Sequence, residues 1–124
     1  ANLMTSLSSA LGAFYTDMFT GQTPRITVVV MSEFGRRLAE NSGGGTDHGR
    51  GTVMFVMGQC IAGGRVLTQW PGLEPDQLFE HMDLNVTIDY RDILAEIVQN
   101  RLGNPNVDQV FPGYTPTFRG VTSC

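Results

Sequence analysis

A run of β-branched and apolar residues, Ile26-Thr27-Val28-Val29-Val30-Met31, is the strongest structural signal in the chain. It is almost continuously apolar, so we expect both of its faces to be buried, as in a parallel strand that helices cover. A second run, Thr52-Val53-Met54-Phe55-Val56-Met57, has the same character. Together the two runs predict strands of one buried sheet.

Two helical patterns flank these strands. Apolar residues recur every three or four positions from Leu3 to Phe19, which is the period of an amphipathic helix. A second helix is expected to begin after Asp89, a residue type that caps helix N-termini, and to end before Gly103 and Pro105. Its apolar face consists of Tyr90, Ile93, Leu94, Ile97, Val98 and Leu102. Burial of such a face contributes about 1.5 to 3 kcal/mol per large side chain, so this helix must dock on a core.

Length and charge limit the class of protein. The chain has 124 residues, which is near the size of one domain with one core. Twelve acidic residues and eight scattered arginines give a net charge of −4, which disfavours nucleic acid and anionic membranes as partners. There is no lysine, so this chain supplies none for Schiff-base or phosphate-loop chemistry. The longest apolar run is far shorter than the ~18 residues of a membrane span.

Two cysteines, Cys60 and Cys124, match no metal-binding spacing. They fit a disulfide, or one small buried residue and one thiol in the tail. The sequence leaves both interpretations open.

The motif that is most informative about function is Thr46-Asp47-His48-Gly49, between the two predicted strands. An adjacent carboxylate and imidazole, with glycines at 43 to 45 and 49, are a common way to offer ligands to a metal at the mouth of a strand. The motif therefore predicts a metal site.

Three arginines flank the same region, and they are Arg36, Arg37 and Arg50. Guanidinium groups bind phosphate or sulfate esters by bidentate hydrogen bonds, so the arginines are candidates for substrate binding. The alternative is purely structural: Asp47 stabilises a turn, His48 is an ordinary loop histidine, and the arginines are a solvated rim.

Several ordered stretches form a larger pattern. In the first half they are Val28-Val29-Val30-Met31-Ser32-Glu33-Phe34-Gly35-Arg36, Gly44-Gly45-Thr46-Asp47-His48-Gly49-Arg50-Gly51, Val53-Met54-Phe55-Val56-Met57-Gly58 and Gly63-Gly64-Arg65-Val66. In the second half they are Trp70-Pro71-Gly72-Leu73, Asp83-Leu84, Thr87, Asp89-Tyr90-Arg91 and Phe111-Pro112-Gly113. This set runs over nearly the whole chain and resembles the domain of unknown function 1501 family.

The resemblance implies an exported bacterial protein (periplasmic, cell-surface or extracellular) that is similar to the alkaline phosphatase and sulfatase superfamily. It implies an α/β fold, with this chain as part of a three-layer α/β/α sandwich that has a mostly parallel sheet. A hydrolytic metal centre would lie at the C-terminal ends of the strands, where such sheets place their sites.

The resemblance also implies that residues 1–124 are the C-terminal segment of a single sulfatase-like domain. The N-terminal segment, which carries the nucleophile in that superfamily, would be absent from this chain. Two or three strands and two helices leave sheet edges without partners, which favours the same interpretation. We therefore expect the missing strands to come from another segment of the same precursor or from a companion chain.

Two assignments of the superfamily's metal motifs remain open. In the first, Glu33 follows the strand where the superfamily has Asp-His-Gly, so that Glu33 and His48 are ligands and Asp47 is a third ligand or orients the imidazole. In the second, Asp47-His48-Gly49 is itself the Asp-His-Gly motif. Both assignments place His48 at a divalent metal ion, such as zinc, manganese, calcium or magnesium. Phe34 stands where the first assignment would require a histidine.

Two function classes follow from these observations. The first is an enzyme, the C-terminal part of a metal-dependent hydrolase of phosphate or sulfate esters, whose nucleophile lies outside this chain. The second is a non-catalytic structural or binding component of an exported assembly that keeps the fold. Phe34 favours the second class, whereas His48 and the neighbouring arginines favour the first.

Overall fold

The computed structural model describes residues 2–19 and 25–123. In chain order its elements are α1 (Asn2–Phe19), β1 (Thr27–Val30), β2 (Gly35–Glu40), β3 (Thr46–Gly49), β4 (Phe55–Gly58), a 3₁₀ turn (Pro75–Gln77), α2 (Tyr90–Glu96), a π-helical turn (Ile97–Arg101) and α3 (Val107–Val110). Cys124 lies outside the described residues.

The strands form two separate antiparallel pairs. β1 pairs with β4, so that Thr27 lies opposite Gly58 and Val30 lies opposite Phe55. β2 pairs with β3, and this hairpin lies within the connection between β1 and β4. The hairpin is tied to a later segment by a hydrogen bond from the backbone nitrogen of Leu38 to the carbonyl oxygen of Met82, at 3.0 Å.

The expected three-layer sandwich with a mostly parallel sheet is wrong for this chain. In the part of the chain that the structure describes, both sheets have two strands and both are antiparallel. A parallel pair needs a crossover connection, usually a helix, but the segment between β1 and β4 contains only the β2–β3 hairpin. All four residues of β1 are half-buried, so its two faces are not fully covered.

The amphipathic pattern of residues 3 to 19 does form a helix, but no residue of α1 is buried. Leu3 is 87% exposed and Tyr15 is 53% exposed. Its apolar side chains Met4, Leu7 and Leu11 border a shallow groove together with Phe55 of β4. The helix therefore contributes little to the core.

The core lies where α2 and the π-helical turn dock on the β1–β4 pair. Ile93, Ile97 and Val121 are buried there, and the side chains that pack against them are Val29, Met54, Val56, Ile61 and Ile88. The predicted cap is confirmed, because the Asp89 side chain accepts a hydrogen bond from the Arg91 backbone nitrogen at 2.8 Å.

Candidate functional site

The β2–β3 hairpin carries the Asp-His motif, and Asn41 closes its turn. The Asn41 side-chain oxygen accepts hydrogen bonds from the backbone nitrogens of Gly43 and Gly45, at 3.0 and 3.2 Å. The Asn41 side-chain nitrogen donates to the Asp47 carboxylate at 3.0 Å. Residues 46–49, which the sequence placed in a loop, are therefore strand β3 with a fixed position.

The imidazole of His48 lies on one face of this hairpin. It stacks on the ring of Phe34, with the ring centroids 4.0 Å apart and the planes 11° from parallel. His48 is exposed, and within residues 2–19 and 25–123 its ring makes no hydrogen bond. Stacking fixes the plane of the ring while its nitrogens stay open to an incoming ligand.

Asp47 lies on the opposite face, because successive side chains of a strand alternate. It borders an open cleft of about 350 Å³, with Arg37, Leu38, Leu78 and Met82 also in the lining. The side chains of Asp47 and His48 therefore do not converge on one metal position. Glu33 is exposed in a bend before β2, beside Phe34. In the described part of the chain, no three side chains of His, Cys, Asp or Glu converge as a metal site.

Each of the three arginines near the motif has a partner within the chain. Arg36 donates from Nη1 to the Thr46 carbonyl oxygen at 2.9 Å. Arg37 lies 3.5 Å from the Asp83 carboxylate. The Arg50 guanidinium lies over the Phe79 ring, 4.1 Å from its centroid. The structure thus distributes these side chains over three contacts and does not form a single anion clamp from them.

A second polar cluster lies at the core, and no motif in the sequence predicted it. Asp92 of α2 is 1% exposed. One of its oxygens accepts hydrogen bonds from the Tyr114 hydroxyl and the Thr117 backbone nitrogen, both at 2.7 Å. The other accepts from Nε and Nη2 of Arg119, at 2.8 and 2.6 Å.

Glu96 lies one helical turn further along and is 2% exposed. Its Oε2 accepts from the backbone nitrogens of Arg119 and Gly120, at 2.7 and 2.9 Å. Its Oε1 accepts from the backbone nitrogen and the hydroxyl of Thr122, at 2.7 and 2.9 Å. The two carboxylates therefore fasten residues 114–122 to α2.

The electrostatics of this cluster follow from burial and hydrogen bonding. Burial raises the pKa of the Asp92 and Glu96 carboxyl groups, but the hydrogen bonds that each carboxylate accepts outweigh burial and leave both pKa values below their ordinary range. The hydrogen bond to Asp92 raises the pKa of Tyr114 to about 12. Every carboxylate oxygen already accepts two hydrogen bonds, so the cluster is a structural lock. In the sequence, the feature that could have indicated this cluster was the acidic pair Asp92 and Glu96, four residues apart beside the apolar stripe of α2.

Cys60 lies next to the fastened segment. It is disulfide-bonded, and its backbone oxygen accepts a hydrogen bond from the Ser123 nitrogen at 2.9 Å. The disulfide interpretation is therefore confirmed for Cys60. Among the residues with described positions, no helix has the length and apolar character needed to cross a membrane.

Comparison with known proteins identifies the family. A family profile described as "Protein of unknown function (DUF1501)" matches residues 1–109. No match was found among curated proteins or among solved structures. Because the profile covers most of the 124 residues and includes the hairpin and α2, the chain belongs to the DUF1501 family.

Proposed function

We propose that this chain is one part of a metal-dependent hydrolase of phosphate or sulfate esters, and that His48 supplies a ligand to the metal ion. The supporting observation is the exposed His48 ring, which Phe34 holds in a fixed plane with no described hydrogen bond to its nitrogens. An imidazole held in this way can bind zinc, manganese or a similar ion without first losing a hydrogen bond to any residue that the structure describes.

The remaining parts of the centre must come from elsewhere. Asp47 and His48 point to opposite faces of β3, so the hairpin supplies only part of a coordination sphere. Glu33, in the bend beside Phe34, is the second ligand that we propose, and Asp47 is the weaker candidate. When bound, a divalent ion would stabilise negative charge on the ester oxygens. We place the nucleophile in a polypeptide segment that this chain does not contain.

The surface of the chain supports such a companion segment. A compact monomer of 13.5 kDa has about 6,500 Å² of accessible surface, whereas this chain has 8573 Å². The excess of about 2,000 Å² is larger than the ~800 Å² that each partner buries in a standard protein interface. Large apolar side chains contribute to it, for example Val66 at 87% and Trp70 at 67% exposure. A second segment of the same precursor, or a companion chain, would cover this surface.

The proposal includes a location outside the cytoplasm. The disulfide at Cys60 supports it, because structural disulfides persist in the periplasm, at the cell surface and in secreted proteins. The resemblance to exported members of the family points in the same direction.

The test uses the complete protein that contains this chain, assayed with an aryl phosphate and an aryl sulfate. His48→Ala should abolish turnover and lower the metal content measured by elemental analysis. His81→Ala is the matched control, since His81 is the other histidine, is exposed, and lies 2.8 Å from the Pro75 carbonyl oxygen through Nδ1. Turnover and metal content that are unchanged by His48→Ala would rule out this proposal.

The second candidate is a non-catalytic structural or binding component of an exported assembly. The contacts of the three arginines favour it, because each is satisfied within the chain. Phe34 also favours it, because it occupies a position where the first assignment needs a ligand. A folded complete protein that retains no metal and hydrolyses neither ester would support this candidate and exclude the first.

A further inference from the structure

Arg101 ends the π-helical turn, and its half-buried guanidinium group is partly shielded from solvent without a partner among the described residues. Its Nε and Nη2 atoms are closed off from solvent, and neither makes a hydrogen bond. The side chain has no ion pair among the described residues. A guanidinium group stays protonated at any ordinary pH, so Arg101 cannot relieve this burial by losing its proton.

The carboxylates of the neighbouring helix α2 and its cap already have partners. Asp92 pairs with Arg119, and Asp89 pairs with Arg91 at 2.7 Å. Both oxygens of Glu96 accept hydrogen bonds from the segment around Thr122. None of these anions is left for Arg101. A partly desolvated charge with no counter-charge is unfavourable, so its presence points to an anion that the described residues do not supply.

The residues on both sides of Arg101 are held by hydrogen bonds. The Asn100 side chain donates to the Thr122 hydroxyl at 2.8 Å, and the Leu102 backbone nitrogen donates to the Ile97 carbonyl oxygen at 3.1 Å. Leu102 itself is 70% exposed. An exposed apolar residue therefore follows Arg101 directly in the chain, and arginine is one of the residues that protein interfaces favour at their energetic centres.

We propose that Arg101 binds an aspartate or glutamate carboxylate of the companion polypeptide segment and that Leu102 packs against apolar side chains beside it. The inference rests on the companion segment of the proposed function, but not on the metal ion or on His48. Nε and Nη2 are closed off, so a carboxylate would approach the guanidinium through Nη1 and balance the charge of the group. A polypeptide fits better than a free anion because Leu102 also needs an apolar neighbour.

The experiment compares thermal unfolding of the complete protein with and without Arg101. Arg101→Met keeps the length of the side chain and removes its charge. Removing one partner of a buried pair leaves the other uncompensated, so the melting temperature should fall by at least about 5 °C. Arg25→Met removes an equal charge from an exposed side chain and should change the melting temperature little. Arg101→Lys keeps the charge and should lie between wild type and Arg101→Met.

Acid provides an independent readout of a carboxylate partner. Arg101 would lower the folded pKa of this carboxyl group. The stabilising contribution of the pair is therefore present above the carboxyl group's unfolded pKa of about 4 and is lost as the pH falls through the folded pKa. The difference between wild type and Arg101→Met should therefore shrink in acid.

An unchanged or higher melting temperature for Arg101→Met would overturn the proposal, because it would mean that the charge has no partner in the complete protein. If inorganic phosphate stabilised the wild type but not Arg101→Met, the ligand would be a free oxyanion, which also overturns it. This experiment measures thermal unfolding, so it is separate from the His48 activity test. The Arg101 proposal and the His48 proposal can therefore each fail while the other holds.

Discussion

The guanidinium of Arg119 donates two hydrogen bonds to a single oxygen of Asp92, and this pair joins α2 to the segment that ends the described chain. Asp92 is 1% exposed, so its charge depends on these donors. Breaking one side of a buried ion pair typically costs about 3 to 5 kcal/mol. Asp92→Asn should lower the free energy of unfolding by about this amount, as measured by denaturant unfolding.

The control for this substitution is Asp108→Asn in α3. Asp108 is exposed, and the substitution makes the same change of charge and shape. Its effect should stay within about 0.5 kcal/mol. Equal effects at the two positions would show that the buried pair does not hold the segment.

Acid should weaken the protein through the same two carboxylates. The folded pKa values of Asp92 and Glu96 lie below 3.8 and 4.5, because the hydrogen bonds that each accepts outweigh burial. Their stabilising contribution is therefore full above those ordinary values and is lost as the pH falls through the lower, folded values. Melting temperatures measured from neutral pH down to about pH 2 should show this loss. Glu96→Gln should lower the curve at neutral pH and flatten its acid limb, whereas Asp108→Asn should leave its shape unchanged.

Tyr114 should titrate late in the folded protein. Its hydrogen bond to Asp92 raises its pKa from 10.0 to about 12. A raised folded pKa stabilises the fold fully below the ordinary value, and this contribution is lost as the pH rises towards about 12. Phenolate absorbance should show a late step that Tyr114→Phe removes and that Tyr15→Phe leaves in place. If Tyr114→Phe left that step intact, the bond to Asp92 would be absent in solution.

The sequence predicted the positions of α1, of α2 and its Asp89 cap, and, within a few residues, of β1 and β4. It did not predict the direction of the strands. A β-branched run such as Ile26–Met31 favours a strand in either kind of sheet, because strand propensity reflects packing on a pleated surface and not the direction of the neighbour. The missing helix between the two runs was the available sign of an antiparallel pair.

The lock around Asp92 and Glu96 was hidden for a different reason. Its donors lie 22 to 27 residues further along the chain, and several of them are backbone nitrogens, which carry no signature in the sequence. The sequence singled out His48 from its motif, but the stacking of His48 on Phe34 depends on the hairpin register, which the glycine-rich loop did not specify. Its role as a metal ligand stays a prediction.

Phe34 should act on the proposed metal site as a positioning residue. Its ring lies 4.0 Å from that of His48, and groups that orient a ligating histidine typically change metal affinity by about 10- to 100-fold. In the complete protein, Phe34→Leu should weaken metal retention by this factor, and Phe34→Tyr should restore it because the stack is kept. Metal competition with a chelator measures the effect. Equal retention in all three proteins would show that the stack does not orient a ligand.

Gly35 should be the least tolerant glycine of the hairpin. It is buried at the start of β2, and a Cβ atom there would overlap the Arg50 carbonyl group and lie 2.6 Å from the Gly51 nitrogen. These are backbone atoms of the neighbouring segment, so relief requires the hairpin to shift, and we expect Gly35→Ala to cost about 1 to 3 kcal/mol. Gly45→Ala is the matched control, because nothing lies within 4 Å of a Cβ at that position. Denaturant unfolding should separate the two variants. Equal stability would mean that β2 does not approach residues 50 and 51 this closely, and the register that places Phe34 on His48 would have to be reassigned.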